Sequence, residues 1–136
     1  MRRIINKIRA IRVNLFHFFF RNECYRLYRK FRSYTKIPLS SYTRNIQFAQ
    51  KFIGVHGCIV ECGTWRGGMV AGLSEAFGNT RECFLYDSFE GLPEVTERDG
   101  NAAAKWQKDI DSPYYYDNCK AEMEFAERAM NLTGSK

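Results

Sequence analysis

The chain has 136 residues, of which 45% are hydrophobic and 15% aromatic, and its formal net charge is +6. This hydrophobic content is enough for a folded core and argues against a wholly disordered chain. The charge is uneven, because residues 1–36 contain eleven Lys or Arg and one Glu, a net charge of +10, whereas the remaining 100 residues carry −4. The positive charge is therefore a property of the N-terminal segment.

Residues 1–39 are predicted to form a basic, aromatic-rich helical segment, because apolar residues recur with a helical period at positions 4, 8, 11, 15 and 18. No run of about 18 uncharged apolar residues is present, which excludes a transmembrane helix. Asn14 and His17 interrupt the apolar run that a signal peptide requires. The segment either packs on its own domain or on a second subunit of a homo-oligomer, or rests on an anionic membrane through residues 1–36. Nucleic-acid binding is disfavoured, because no recognition module is present.

Residues 40–136 are predicted to form a second unit, which begins after the break at Pro38. Its first helix is expected to run to about Gly54, with Ser41 or Thr43 as the N-cap. Tyr42 and Arg44, near the start of this helix, are expected to be surface residues rather than substrate contacts.

Residues 58–87 have the order strand, glycine turn, helix, strand. The apolar run Cys58 to Val60 is typical of a parallel strand buried on both faces. The glycines of the turn let backbone N–H groups approach a ligand, and apolar residues three or four positions apart predict a helix that stops at Gly78 and Asn79. Asp87 ends the second strand, where a carboxylate can accept hydrogen bonds from ribose hydroxyls. This order predicts a nucleoside-binding βαβ unit.

The turn does not match the best-known phosphate-binding patterns. Within the turn the next glycines after Gly63 are Gly67 and Gly68, a spacing that differs from the dinucleotide pattern, and no Gly-Lys-Ser/Thr follows as in a P-loop.

Two motifs carry a family resemblance. Residues 61–68, Glu-Cys-Gly-Thr-Trp-Arg-Gly-Gly, and residues 87–93, Asp-Ser-Phe-Glu-Gly-Leu-Pro, resemble the macrocin O-methyltransferase (TylF/MycF-type) branch of class I S-adenosylmethionine-dependent methyltransferases. The resemblance spans roughly residues 40–136. It implies an α/β, Rossmann-like fold, here the N-terminal part of a parallel sheet with flanking helices. It also implies methylation of a hydroxyl, in this branch that of a sugar in a glycoside, polysaccharide or natural product.

The resemblance also implies a set of cofactor-binding residues. The loop that would hold the methionine end of S-adenosylmethionine consists of Glu61, Gly63, Thr64, Trp65, Arg66, Gly67 and Gly68. Asp87 would bind the ribose, and Ser88 and Phe89 would lie beside the adenosine.

The resemblance leaves the catalytic residues of this chain unidentified. Residues 131–136 are typical of a turn before a further strand, so a truncated chain with an incomplete active site is expected. The family's divalent metal, Mg²⁺, its ligands and its catalytic base would lie beyond the sequence. Two alternatives stay open: a non-catalytic cofactor-binding or interaction remnant, and a membrane-surface protein that acts through its basic N-terminal helix.

The remaining patterns predict structure rather than chemistry. A loop after Asp87 precedes a helix over 102–110, and Asp117 or Asn118 is expected to cap a last helix. Tyr114, Tyr115 and Tyr116 are interpreted as local packing rather than as a stacking platform. The spacing of the five cysteines fits neither a redox pair nor a zinc site, so Cys58 and Cys62 are interpreted as reduced, buried residues of a cytoplasmic protein, soluble or peripheral at the inner membrane surface. His17 and His56 are isolated.

Overall fold

The computed structural model describes residues 22–134. Residues 22–31 form helix α1, which leads into a 3-10 turn, Arg32–Tyr34. The helical period predicted at positions 4–18 lies outside the described residues. None of the helices within residues 22–134 combines the length and the apolar character needed to cross a membrane.

The described chain alternates helices and strands after α1. The elements are α2 Leu39–Ala49, a 3-10 turn Gln50–Phe52, β1 Ile59–Cys62, α3 Gly68–Ala76, β2 Cys83–Tyr86, a 3-10 turn Glu97–Asp99, α4 Gly100–Lys108 and α5 Met123–Thr133. The predicted α/β class and the strand, turn, helix, strand order are confirmed.

The two strands pair in parallel, with Ile59 opposite Cys83 and Cys62 opposite Tyr86. Helix α3 connects them and covers the face that carries the half-buried residues of both strands. On the other face Val60 and Tyr86 are 56% and 58% exposed. The prediction that β1 is buried on both faces is therefore wrong.

The same geometry corrects the prediction for two cysteines. Cys58 and Cys62 are both exposed thiols. Cys62 shares the open face of β1 with Val60, since alternate residues of a strand point to the same side.

The core lies between α3 and the surrounding helices α1, α2 and α5. Its buried residues are Cys24, Leu27, Phe31, Tyr42, Ile46, Met69, Ala71 and Ala129. Three of them belong to α1, so this part of the basic N-terminal segment buries its apolar side within the chain.

Tyr42 joins α2 to the start of α3, contrary to its predicted surface position. Its hydroxyl donates a hydrogen bond to the carbonyl of Gly68 at 3.0 Å, and the residue is fully buried. A Cβ placed on Gly72 would lie 1.8 Å from the Tyr42 hydroxyl oxygen. Helix α3 can therefore approach Tyr42 this closely only because position 72 lacks a side chain.

The starts of two helices, α2 and α5, differ from prediction. Helix α2 begins directly after the extended residue Pro38, so neither Ser41 nor Thr43 is its cap. Residues 116–119 all have positive φ, and α5 starts only after Glu122. Because the N-cap of α5 is Glu122, the predicted caps at Asp117 and Asn118 are wrong. The predicted left-handed stop of α3 at Gly78 and Asn79 is confirmed, with φ of 71° and 55°.

Candidate functional site

The candidate site lies where β1 and β2 end, because the carboxyl ends of parallel strands meet at one edge of the sheet. Asp87 directly follows β2. Its Oδ2 accepts the backbone N–H of Trp65 at 2.8 Å, and its Oδ1 accepts the backbone N–H of Phe89 at 2.8 Å. Asp87 thus fixes the loop after β1 and the loop after β2 at the same time.

Both residues held by Asp87 have an unusual backbone. Trp65 and Phe89 have φ of 52° and 59°, a left-handed conformation that bulky side chains rarely adopt and that costs on the order of 1–3 kcal/mol. Two hydrogen bonds to a carboxylate are the kind of charge-assisted interaction that can offset such a cost.

Glu61 is the second carboxylate of the site, at the third position of β1. Its Oε2 accepts a hydrogen bond from the Thr64 hydroxyl at 2.7 Å. Burial raises the pKa of Glu61 above its ordinary value of 4.5, and the hydrogen bonds from Thr64 and the Val70 backbone offset part of that rise. The chain therefore holds a poorly solvated carboxylate beside the glycine turn.

A cavity of about 450 Å³ opens between the two strand ends. This volume lies within the range of about 300–1,000 Å³ that is usual for small-ligand sites. The lining residues are Tyr34, Thr35, Lys36, Ile37, Glu61, Gly63, Thr64, Trp65, Met69, Asp87, Ser88, Gly91, Leu92 and Cys119. The structure therefore brings Glu61, Gly63, Thr64, Trp65, Asp87 and Ser88 of the predicted site together around one space.

The other predicted residues lie next to the cavity but do not line it. Arg66 stacks its guanidinium on the rings of Trp65 and Phe125, at 4.5 and 4.1 Å from the centroids. A Cβ on Gly67 would lie 3.1 Å from Ala126 Cα, and one on Gly68 would lie 2.6 Å from the Tyr34 carbonyl carbon. Phe89 contributes the backbone N–H held by Asp87. The outer side of the glycine turn is thus packed against the chain itself.

One wall of the cavity was missed by sequence reasoning, the segment Tyr34–Ile37. It reaches the site because the backbone of Tyr34 packs on Gly68 at the start of α3. No pattern around residues 34–37 signals this contact, which depends on how the segment before α2 folds back over α3.

Lys36 has the most unusual environment in that wall. Its Nζ lies 4.4 Å from the centroid of the Trp65 ring and 4.5 Å from that of the Tyr116 ring. The amine is buried, and no acceptor among the described residues takes a hydrogen bond from it.

The loop after Asp87 is hydrogen-bonded to the turn at residues 116–119. Leu92 N–H donates to the Asn118 carbonyl at 2.9 Å, and Asn118 Nδ2 donates to the Leu92 carbonyl at 2.6 Å. Trp65 Nε1 also donates to the Lys120 carbonyl at 3.1 Å. Tyr115 and Tyr116 pack on Trp106 and Trp65 respectively, whereas Tyr114 is 69% exposed.

Within residues 22–134 no group of three or more His, Cys, Asp or Glu side chains is arranged to hold a metal ion.

An α/β unit with a cavity at its strand ends is typical of enzymes that bind a nucleoside cofactor, and a comparison with protein families identifies the class as methyltransferases. Residues 43–119 match the family described as Macrocin-O-methyltransferase (TylF), and the chain belongs to this family. No curated protein and no solved structure matches the chain.

Proposed function

We propose that the chain binds S-adenosylmethionine as an O-methyltransferase of the class I, Rossmann-like type, with a sugar hydroxyl as acceptor. The observation that carries this proposal is the joint lining of one cavity by the Glu61–Trp65 loop and by Asp87 with Ser88. Family membership supports the methyltransferase chemistry. The sugar acceptor rests on the family alone.

The residues around the cavity fit such a cofactor. An ionised carboxylate has about four lone-pair sites, and Asp87 uses one on each oxygen for the N–H groups of Trp65 and Phe89. The remaining sites can accept the two ribose hydroxyls. Gly63 lines the cavity, and a Cβ there would meet no protein atom within 4 Å, so its lack of a side chain leaves room for a ligand.

Each charged group then has a distinct role. When bound, S-adenosylmethionine supplies an electrophilic methyl group on a positively charged sulfonium. Glu61 offers a half-buried negative charge next to the glycine turn, where it stabilises a cationic ligand. Asp87 orients the adenosine. We assign no catalytic base and no Mg²⁺ ligand to the described residues, whose contribution is binding and orientation.

Calorimetry with S-adenosylhomocysteine tests the proposal directly. We expect binding that Asp87→Ala weakens by about 1–3 kcal/mol, the usual contribution of hydrogen bonds to a charged group. Asp111→Ala, at an exposed residue outside the cavity, is the matched control and should bind like the unaltered chain. Folded protein that gives no heat at millimolar ligand would contradict the proposal.

A second ligand distinguishes two effects of Asp87→Ala, the loss of hydrogen bonds to the ribose and a changed structure of the loops. An S-adenosylhomocysteine analogue that lacks the 2′ and 3′ hydroxyls should bind the unaltered chain more weakly than the parent compound. The two ligands should bind Asp87→Ala equally, because the acceptor of the hydroxyls is gone. If the ratio of the two ligand affinities is the same in Asp87→Ala as in the unaltered chain, Asp87 acts only on the loops.

The charge of the N-terminal segment supports a second candidate, contact with an anionic membrane. The apolar side of α1 is already buried in the core, so this contact would rest on residues 1–21, outside the described part. Flotation with phosphatidylglycerol vesicles should weaken with salt and in the double variant Arg9→Gln/Arg12→Gln. Binding that is indifferent to both changes would contradict it.

A further inference from the structure

Lys36 is a cation inside the candidate site, and no carboxylate among residues 22–134 pairs with it. Its side chain lines the cavity, and its buried Nζ rests on the faces of Trp65 and Tyr116. The two ring faces attract the charge through their quadrupoles, and the amine makes no hydrogen bond to the Tyr116 hydroxyl. Because all three N–H donors of the amine lack an acceptor among residues 22–134, the ring contacts replace only part of its lost hydration.

We infer that Lys36 binds the α-carboxylate of the methionine part of S-adenosylmethionine, an inference that rests on the proposed function. When the ligand binds, the amine leaves the faces of the two aromatic rings and forms a hydrogen-bonded ion pair with the carboxylate. A lysine is suited to this exchange, since its compact charge sits on a flexible four-carbon chain that can swing into the cavity.

The charges of the cavity complement this ligand. Among the described residues that line it, Lys36 is the one cation, and Glu61 and Asp87 are the two anions. S-adenosylmethionine carries the opposite set, two cations in the sulfonium and the α-ammonium, and one anion in the carboxylate. Glu61 can attract the cationic part of the ligand, and among the described lining residues Lys36 is the cation that can pair with its carboxylate.

Lys36 lies beside the loop that would hold the methionine part of the cofactor. The backbone two residues earlier, at Tyr34, packs on Gly68 at the start of α3, which keeps the segment beside the Glu61–Gly68 loop. Trp65 connects the two ends, because its backbone N–H is held by Asp87 and its ring lies under the Lys36 amine. Trp65 therefore contacts both the ribose acceptor and the amine.

The test compares S-adenosylhomocysteine with its decarboxylated analogue, which ends in an aminopropyl group. The unaltered chain should bind the carboxylate-bearing ligand about tenfold to a hundredfold more tightly, the range expected for a charge-assisted hydrogen bond. Lys36→Met, which keeps the length of the side chain but not its charge, should bind both ligands with nearly equal affinity. Lys36→Arg should restore part of the preference.

Lys51→Met is the matched control. Lys51 also lies over an aromatic ring, with its Nζ 5.8 Å from the Phe48 centroid, but it does not line the cavity. This variant should keep the full preference for the carboxylate.

The outcomes distinguish the inference from the proposed function. A chain that binds neither ligand overturns both. If the unaltered chain binds both ligands equally, the role of Lys36 is overturned while cofactor binding stands. This measurement does not depend on whether any variant folds. Equal weakening of both ligands in Lys36→Met and in the second variant Lys36→Gln also overturns the inference, because the amine would then act only on the fold.

Discussion

The carboxylate of Asp87 accepts the backbone N–H of Trp65 at 2.8 Å, across 22 positions of sequence. The same carboxylate accepts the N–H of Phe89, and both donors belong to residues with a left-handed backbone. Asp87 therefore determines the shape of both loops before any ligand arrives.

Asp87→Asn should destabilise the fold. The amide can accept only one of the two hydrogen bonds and turns its NH₂ group toward the other N–H. We expect a loss of about 1–3 kcal/mol in the free energy of unfolding, the cost of leaving a half-buried donor unsatisfied, measured by urea denaturation. Asp111→Asn, at an exposed position, should have little effect. Equal stability of both variants would contradict the role assigned to Asp87.

Glu61→Gln should raise stability near neutral pH while it weakens ligand binding. Burial raises the pKa of Glu61 in the fold, so the folded chain holds this proton more tightly than the unfolded chain. The associated stability is fully present below the ordinary value of 4.5 and is lost as the pH rises through the raised pKa. The variant should therefore melt above the unaltered chain at pH 8, and the difference should shrink toward pH 4. A difference that does not change with pH would contradict this explanation.

Gly72→Ala should destabilise the chain although alanine favours helices. The new Cβ would lie 1.8 Å from the Tyr42 hydroxyl oxygen and 2.7 Å from its Cζ, and overpacking of this kind costs about 1–3 kcal/mol. Gly54→Ala, where a Cβ would meet no atom within 4 Å, provides the control and should be nearly neutral. The free energies of unfolding of both variants are measured by chemical denaturation.

The double variant Tyr42→Phe/Gly72→Ala tests the contact itself. Tyr42→Phe alone should cost about 0.5–1.5 kcal/mol through the lost hydrogen bond to Gly68. Because phenylalanine also removes the atom nearest to the new Cβ, the double variant should be more stable than the sum of the single effects. Strict additivity would mean that the two side chains do not meet.

Glu75→Gln should loosen the attachment of α1 to α3. The Glu75 carboxylate, only 10% exposed, pairs with Lys30 and with Arg26 at 3.3 Å. We expect a loss of about 1–2 kcal/mol, more than for an exposed pair, and a smaller loss in high salt. Glu23→Gln removes a pair with the same arginine within α1 and should cost only about 0.2–0.5 kcal/mol. Equal costs would contradict a bridge between the helices.

The parts of the fold that follow from local pattern could be predicted. Apolar periodicity located α3, and Gly78 with Asn79 marked its end, because helix spacing and left-handed stops are properties of adjacent residues. The position of Asp87 at the end of β2 followed from the same strand, turn, helix, strand order. These features need no knowledge of distant contacts.

The parts that failed depend on contacts between distant segments. Nothing near Tyr42 indicates that it will be covered by α3, and nothing near Lys36 indicates two rings that lie about 29 and 80 positions away. The apolar composition around Cys58 and Cys62 predicts an interior position, but both thiols are exposed. Burial on both faces also requires a second layer over the strand, which composition cannot reveal.

The double glycine of the turn has a consequence for how related sequences are compared. Gly67 has Ala126 against it, and Gly68 has Tyr34, so both positions are constrained by the folding of the chain alone. A descendant that had stopped binding any cofactor would still retain this pair, and its presence is a signature of ancestry. Relatives that have kept a ligand are better recognised by the charges at positions 36 and 61, because Asp87 is also required to hold the two loops.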